Sequence, residues 1–237
     1  MGQQPQEPRE EESPRPSRPV VLTRNVVAMR ANMSEFGGHV ACLAWECGFA
    51  AAPRKAYVPD GPEANWSLWR ERFSHYTPIL DFVHAVCYVF QAAAAGRPLD
   101  DLATLYRRWA QAVWSGQVQQ VIDELQARQD EIGPPRPEDA ETHPRQVAAT
   151  ALGYLRNQTS RMRYDQYRRQ GLPIVSAYIE STIKQINLRL KGSEKFWSQG
   201  GAEAVLQLRA GYLSDRRPLD QFWTQHSETT TGQRSYR

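Results

Sequence analysis

Three carboxylates stand out by type and position. Asp60 ends the run RKAYVPD, Asp81 follows YTPIL, and Glu180 heads the helical stretch IVSAYIESTIKQINLRLKG. In α/β proteins, ligands and catalytic groups collect beyond the carboxyl ends of strands. Acidic side chains that converge on a hard cation are how enzymes hold Mg²⁺ for in-line phosphoryl transfer. Each position also has a plainer reading. Asp60-Gly61 is a turn dipeptide. Asp81 stands where a helix N-cap would, with His84 as a core histidine. Glu180 and Lys184 are four residues apart on a helix, a surface pair worth roughly 0.3–0.5 kcal/mol. Asp81, His84 and Tyr88, at i, i+3 and i+7, share one helical face.

Charge distribution adds a partner class. The 29 Lys+Arg and 26 Asp+Glu leave a net charge of only +3, too mild to imply a polyanion by itself. Between Arg145 and Lys195, however, ten basic residues face three acidic ones, which makes that segment the candidate contact for a phosphate backbone. Other chemistries have weaker signals. His39 with Cys42 and His84 with Cys87 have i, i+3 spacing but lack a clear fourth zinc ligand. No nucleophile elbow and no glycine-rich phosphate loop occurs. Trp66, Trp69, Trp109 and Trp114 read as core.

The elements that must position these residues can be read in order. Residues 1–19 hold five prolines and four glutamates and are expected to be disordered. VVLTRNVVAM suggests an edge strand, and Ser34 an N-cap for a helix running to Gly48. RKAYV, NWSLWRERF and YTPIL alternate as strand, helix and strand, a pattern for a parallel α/β core. From Asp81 onward the texture is helical: one helix to Gly96, a second over DLATLYRRWAQAVW and a third over QVQQVIDELQARQDEI. A linker at GPPRPED precedes helices over 145–170 and 199–213. In the Glu180 helix, Ile179, Ile183, Ile186 and Leu190 mark a buried face, with Lys184, Arg189 and Lys191 round the rest. Cys42, Cys47 and Cys87 make an odd count without a CxxC pair, so reduced, buried thiols and a reducing cytoplasm are expected. No run approaches 18 apolar residues and the N-terminus is polar and acidic, so neither a membrane span nor a secretory signal is expected.

With those elements in place, DG…NW…F…PILDFVHAVCYV, RMRYDQYRRQGLPI and IES…K…RLKGSEKFWSQGGAEAVLQLRAGYLSD together resemble the C-terminal part of DDE transposases of bacterial insertion sequences, most like the ISKra-type group related to Mutator-like elements. The likeness runs from about Arg24 to Trp223. It implies an α/β, partial ribonuclease-H-like core with a large all-α insertion, predominantly helical overall. The divisions would be a tail over 1–19, a truncated core over 20–82, the insertion over 83–170, the catalytic and packing helices over 171–223 and a flexible tail over 224–237. It implies two Asp and one Glu binding Mg²⁺ or Mn²⁺, hydrolysis at transposon ends, and attack of a 3′-hydroxyl on target DNA. Carried over, Asp60 would be the second carboxylate and Glu180 the last, both metal ligands, with Asp81 and His84 as the D-x-x-H signature between them. Lys184, Arg189, Lys191 and Lys195 would contact DNA. The first carboxylate of such enzymes has no counterpart, because the first Asp in this chain is Asp60. A truncated remnant, inactive alone, is therefore expected, with DNA, a second copy or an upstream transposase half as partner. The alternative is a non-catalytic, helical nucleic-acid-binding or interaction protein.

Overall fold

A parallel strand pair forms where the sequence alternates. In the computed structural model, which describes residues 21–229, β1 (Ala56–Tyr57) lies parallel to β2 (Thr77–Pro78), and α2 (Glu63–Arg72) is the crossover. The ladder outruns its two paired residues. Thr77, Ile79 and Asp81 donate their N–H groups to the carbonyls of Lys55, Tyr57 and Pro59 at 2.8, 2.9 and 2.9 Å, the even spacing of a parallel pair. Pro78 has no N–H, but it falls on the alternate register where none is required.

The chain is predominantly helical. α3 (Phe82–Ala94), α4 (Leu99–Trp114), α5 (Val118–Ile132) and α6 (Pro144–Gln158) form a bundle, with α3 against α4 and α6 and α5 against α4 and α6. Its centre is Leu80, Val89, Trp109, Val113, Val121, Leu125 and Leu155, all buried, and Ala85, Ala148 and Ala151 let the helices approach. Trp109 donates its indole N–H to Glu124 Oε2 at 2.7 Å. Burial pushes the Glu124 carboxyl up, but hydrogen bonds from Trp109, Gln120 and Arg108 outweigh it and hold it below the usual range.

The expected 145–170 helix is broken. A 3₁₀ turn over Thr159–Arg161 separates α6 from α7 (Tyr164–Arg169). There the Thr159 hydroxyl bonds back to Leu155 O at 2.8 Å, and the Arg161 carbonyl accepts Leu80 N–H at 3.0 Å. The end of the sheet thus takes a carbonyl that the helix would otherwise have used.

Near the N-terminus, residues 21–29 are extended but form no strand, because their backbone pairs with a turn instead. Asp215 N–H donates to Arg24 O at 2.8 Å and Val26 N–H to Ser214 Oγ at 2.9 Å. α1 (Met33–Glu46) starts one residue before Ser34, and its cap is Asn32, whose Oδ1 accepts Glu35 N–H at 2.9 Å. The cysteines correct another expectation: all three are free, but Cys42 and Cys87 are exposed and Cys47 is half-buried.

The last helices are α8 (Ala177–Leu190), α9 (Gln199–Leu213) and α10 (Pro218–Thr229). Of the four residues expected on the buried face of α8, Ile186 is buried, Leu190 is half-buried, and Ile179 and Ile183 are 57% and 49% exposed. The helix turns Thr182 and Ile186 inward instead, and its main helical neighbour is α9. Residues 224–229, expected as tail, continue α10. The expected disordered tail over 1–19 and residues 230–237 lie outside the described residues. No described helix is long and apolar enough to cross a membrane.

Candidate functional site

Beyond the carboxyl end of β1 the chain turns at Asp60-Gly61. Asp60 is exposed, and its Oδ1 accepts Asn65 Nδ2–H at 2.8 Å. Its carbonyl accepts the Tyr154 hydroxyl at 3.0 Å, which pins the turn to α6. The Gly61 carbonyl accepts both Trp66 Nε1–H at 2.9 Å and Gln158 Nε2–H at 3.2 Å. Gly61 has φ +109°, and a Cβ there would lie 2.6 Å from the Tyr154 oxygen, so only glycine fits. Tyr154 stacks on Tyr88 with ring centroids 3.7 Å apart. Burial pushes the Tyr154 phenol well up, with Tyr88, Asp60 and Asp81 adding to it, and burial plus Asp60 brings Tyr57 to about 12. Both phenols are therefore neutral donors around the acidic turn.

Asp81 takes the plainer of its two roles, and more. It is 1% exposed. Its Oδ1 accepts His84 N–H at 3.0 Å, the N-cap bond of α3, and lies 3.3 Å from His84 Nδ1. Its Oδ2 accepts Ser176 N–H, one residue before α8 begins. Burial pushes the carboxyl up, but these bonds from Ser176 and His84 prevail and hold it below the usual carboxylate range. His84 is not a core histidine; its side chain is about a third exposed.

Glu180 lies in the first turn of α8, half-buried, with its N–H on Ser176 O at 3.2 Å. The three acidic residues are thus joined through the backbone: Asp81 N–H to Pro59 O beside Asp60, Ser176 N–H to Asp81, Glu180 N–H to Ser176. Joined is not convergent. Among the described residues no three His, Cys, Asp or Glu side chains come together as a metal would need, and both Asp81 oxygens are committed to hydrogen bonds. The donors present do not fit a two-metal centre, and no metal-dependent step follows from them.

The basic candidates divide. Lys184, Arg189 and Lys191 are exposed. Lys195 is also exposed, but its Nζ donates to Leu188 O at 2.5 Å and Lys191 O at 3.3 Å, so it caps the C-terminus of α8. Several other cations of the 145–195 excess are engaged within the chain. Arg145 forks onto Asp139 at 2.8 and 2.5 Å, Arg169 pairs with Asp165, and Arg161 and Arg168 lie over Trp66 and Trp114 at 4.0 and 3.8 Å. Among the described residues Glu180 makes no ion pair with Lys184.

Sequence reasoning missed Tyr154, Gln158 and Ser176, which hold the site from distant elements. Asn65, five residues after Asp60, was within reach as a loop-to-helix polar residue. No protein-family model matches this chain, and neither a curated protein nor a solved structure matches it significantly.

Proposed function

We propose that this chain is a DNA-binding piece of a DDE-type transposase with a partial ribonuclease-H-like core, acting in the cytoplasm and unable to catalyse strand transfer alone. The observation that carries the reading is the parallel ladder ending in Asp60 and Asp81, with Asp81 tied directly to the start of the helix that bears Glu180. The resemblance implies acidic residues on these same elements, and the backbone bonds that tie the elements together support the reading. The resemblance names Asp60 and Glu180 as ligands of Mg²⁺ or Mn²⁺, but among the described residues no group of three such side chains forms, so the chain is short of a catalytic set. Lys184, Arg189 and Lys191 supply the backbone contacts. A second copy or a separate transposase half is the partner that would complete it.

A second reading, a non-catalytic nucleic-acid-binding protein, is favoured by the commitment of both Asp81 oxygens to structural bonds. The two part in one experiment: supercoiled-DNA nicking and strand transfer by the chain in Mn²⁺, with Glu180→Gln alongside, and DNA affinity measured across salt. The transposase-piece reading expects binding that weakens as salt rises and no transfer until the missing half is added, when activity appears and Glu180→Gln removes it. Activity that survives Glu180→Gln removes Glu180 from the chemistry. Affinity that is flat with salt removes the phosphate contacts from both readings.

A further inference from the structure

One residue after Asp81 an open groove begins that the acidic site does not use. It has a volume of about 510 Å³ and is lined chiefly by Phe82, Tyr106, Arg107, Gln111 and Trp114. Four of these come from α4 at i, i+1, i+5 and i+8, together with Ala103 and Ala110, so one outward stripe of the helix forms the floor. The opposite stripe, with Trp109, Ala112 and Val113, faces the core. Trp114, expected in the core, is 36% exposed. Arg168 lies over its ring at 3.8 Å and donates to its carbonyl at 3.1 Å, which holds an exposed guanidinium against Trp114. Phe82 meets Trp114 edge to face at 5.3 Å.

The chemistry of this surface is selective. Tyr106 and Trp114 stand about two helical turns apart with Ala110 between them, and among the described residues none of the side chains lining the groove is acidic. A flat, apolar body carrying negative charge suits it, which describes a nucleobase with its phosphate. Bases stack on aromatic rings and on guanidinium planes when they are unpaired, and Arg107, which lines the groove, matches the phosphate. We propose that this groove is a stacking site for an unpaired DNA base, so that the chain prefers single-stranded or locally opened DNA next to its acidic site. This rests on the DNA-binding reading above and names its substrate form.

The test uses the full chain, with fluorescein-labelled oligothymidylate, an abasic oligonucleotide of equal length and a duplex as probes. The wild type is expected to bind oligothymidylate on the order of ten-fold tighter than the abasic strand, and Trp114→Ala to abolish that preference. Trp114→Phe keeps a ring and should retain most of it. Ala103→Glu, at an exposed helical position, sets a carboxylate in the groove without touching the core, and should also lose the preference even if Trp114→Ala fails to fold. A preference unchanged in a folded Trp114→Ala and in Ala103→Glu overturns the stacking site. If such variants still bind every probe in a salt-dependent way, the DNA-binding reading survives that loss. If the wild type binds none of the probes, both fall together.

Discussion

Two helical regions of this molecule both carry large apolar side chains and meet different ends. In the α3–α6 bundle, Leu125, Leu155 and Val113 have no exposure at all. In α8–α10, Leu188 is 72% exposed, and Tyr178, Ile179, Ile183, Tyr212, Phe222 and Trp223 all face outward. Helical periodicity predicts helices in both regions and finds α3–α5, α8 and α9, while α10 was not expected and the 145–170 helix is broken. Burial needs opposing layers at the right distance. The bundle closes α3, α4, α5 and α6 into a ring in which each helix packs against two others, whereas α8 and α10 each have α9 as their main helical neighbour. A hydrophobic stripe is therefore a statement about conformation first and about packing only when the opposing element exists.

Substitutions can break or sharpen that contrast. The largest effect is expected from Leu125→Ala, which opens a cavity in the bundle and should cost about 2–5 kcal/mol in urea unfolding. A cost below about 1 kcal/mol would mean that the bundle centre collapses to fill the gap. Asp81→Ala should come next, at about 1–3 kcal/mol, because it leaves the cap of α3 and the Ser176 N–H unsatisfied together. The Asp81 contribution should also depend on pH in a fixed direction. Its folded pKa is depressed, so its stabilisation is complete above the unfolded value, about 4, and is lost as pH falls through the folded value. Wild type and Asp81→Ala should accordingly converge in stability at acid pH and diverge above it. Divergence that grows toward acid pH would reverse the assignment. Tyr154→Phe removes one hydrogen bond to the Asp60 turn and should cost about 0.5–1.5 kcal/mol. Leu188→Ala is expected to change stability by no more than about 0.5 kcal/mol. Amide exchange should give the same ordering without mutation, with α8–α10 opening before α3–α6.

Legibility in the sequence followed the range of the interactions. The strand–helix–strand unit around Asp60 was readable because β-branched and aromatic residues, the Trp-rich helix and the Asp-Gly turn are all local signals. The extents of α3 and α9 were readable for the same reason: Asp81 and Gly96 bracket the first, and Ser198 caps the second with its Oγ accepting Gly201 N–H at 3.1 Å. Residues 21–29 were misread as a strand because their partners, Ser214 and Asp215, are about 190 positions away. The break after α6 was invisible because Leu80, which claims the Arg161 carbonyl, lies in another element. At the site, the identities of Asp60, Asp81 and Glu180 stood out, but the saturation of Asp81 did not. Whether a carboxylate is available depends on which N–H groups the fold sends to it.

The bond from Ser176 to Asp81 spans 95 positions, and beside it Phe82 N–H donates to Ile174 O at 2.9 Å. In polymer terms everything between those clasps is a loop whose ends are already tied. The entropy of closing such a loop grows only with the logarithm of its length, about 0.6 kcal/mol per doubling. The span of chain carrying α3–α7 can therefore lengthen or shorten with little direct effect on the alignment of Asp81 and Glu180, provided the clasp at its neck is kept.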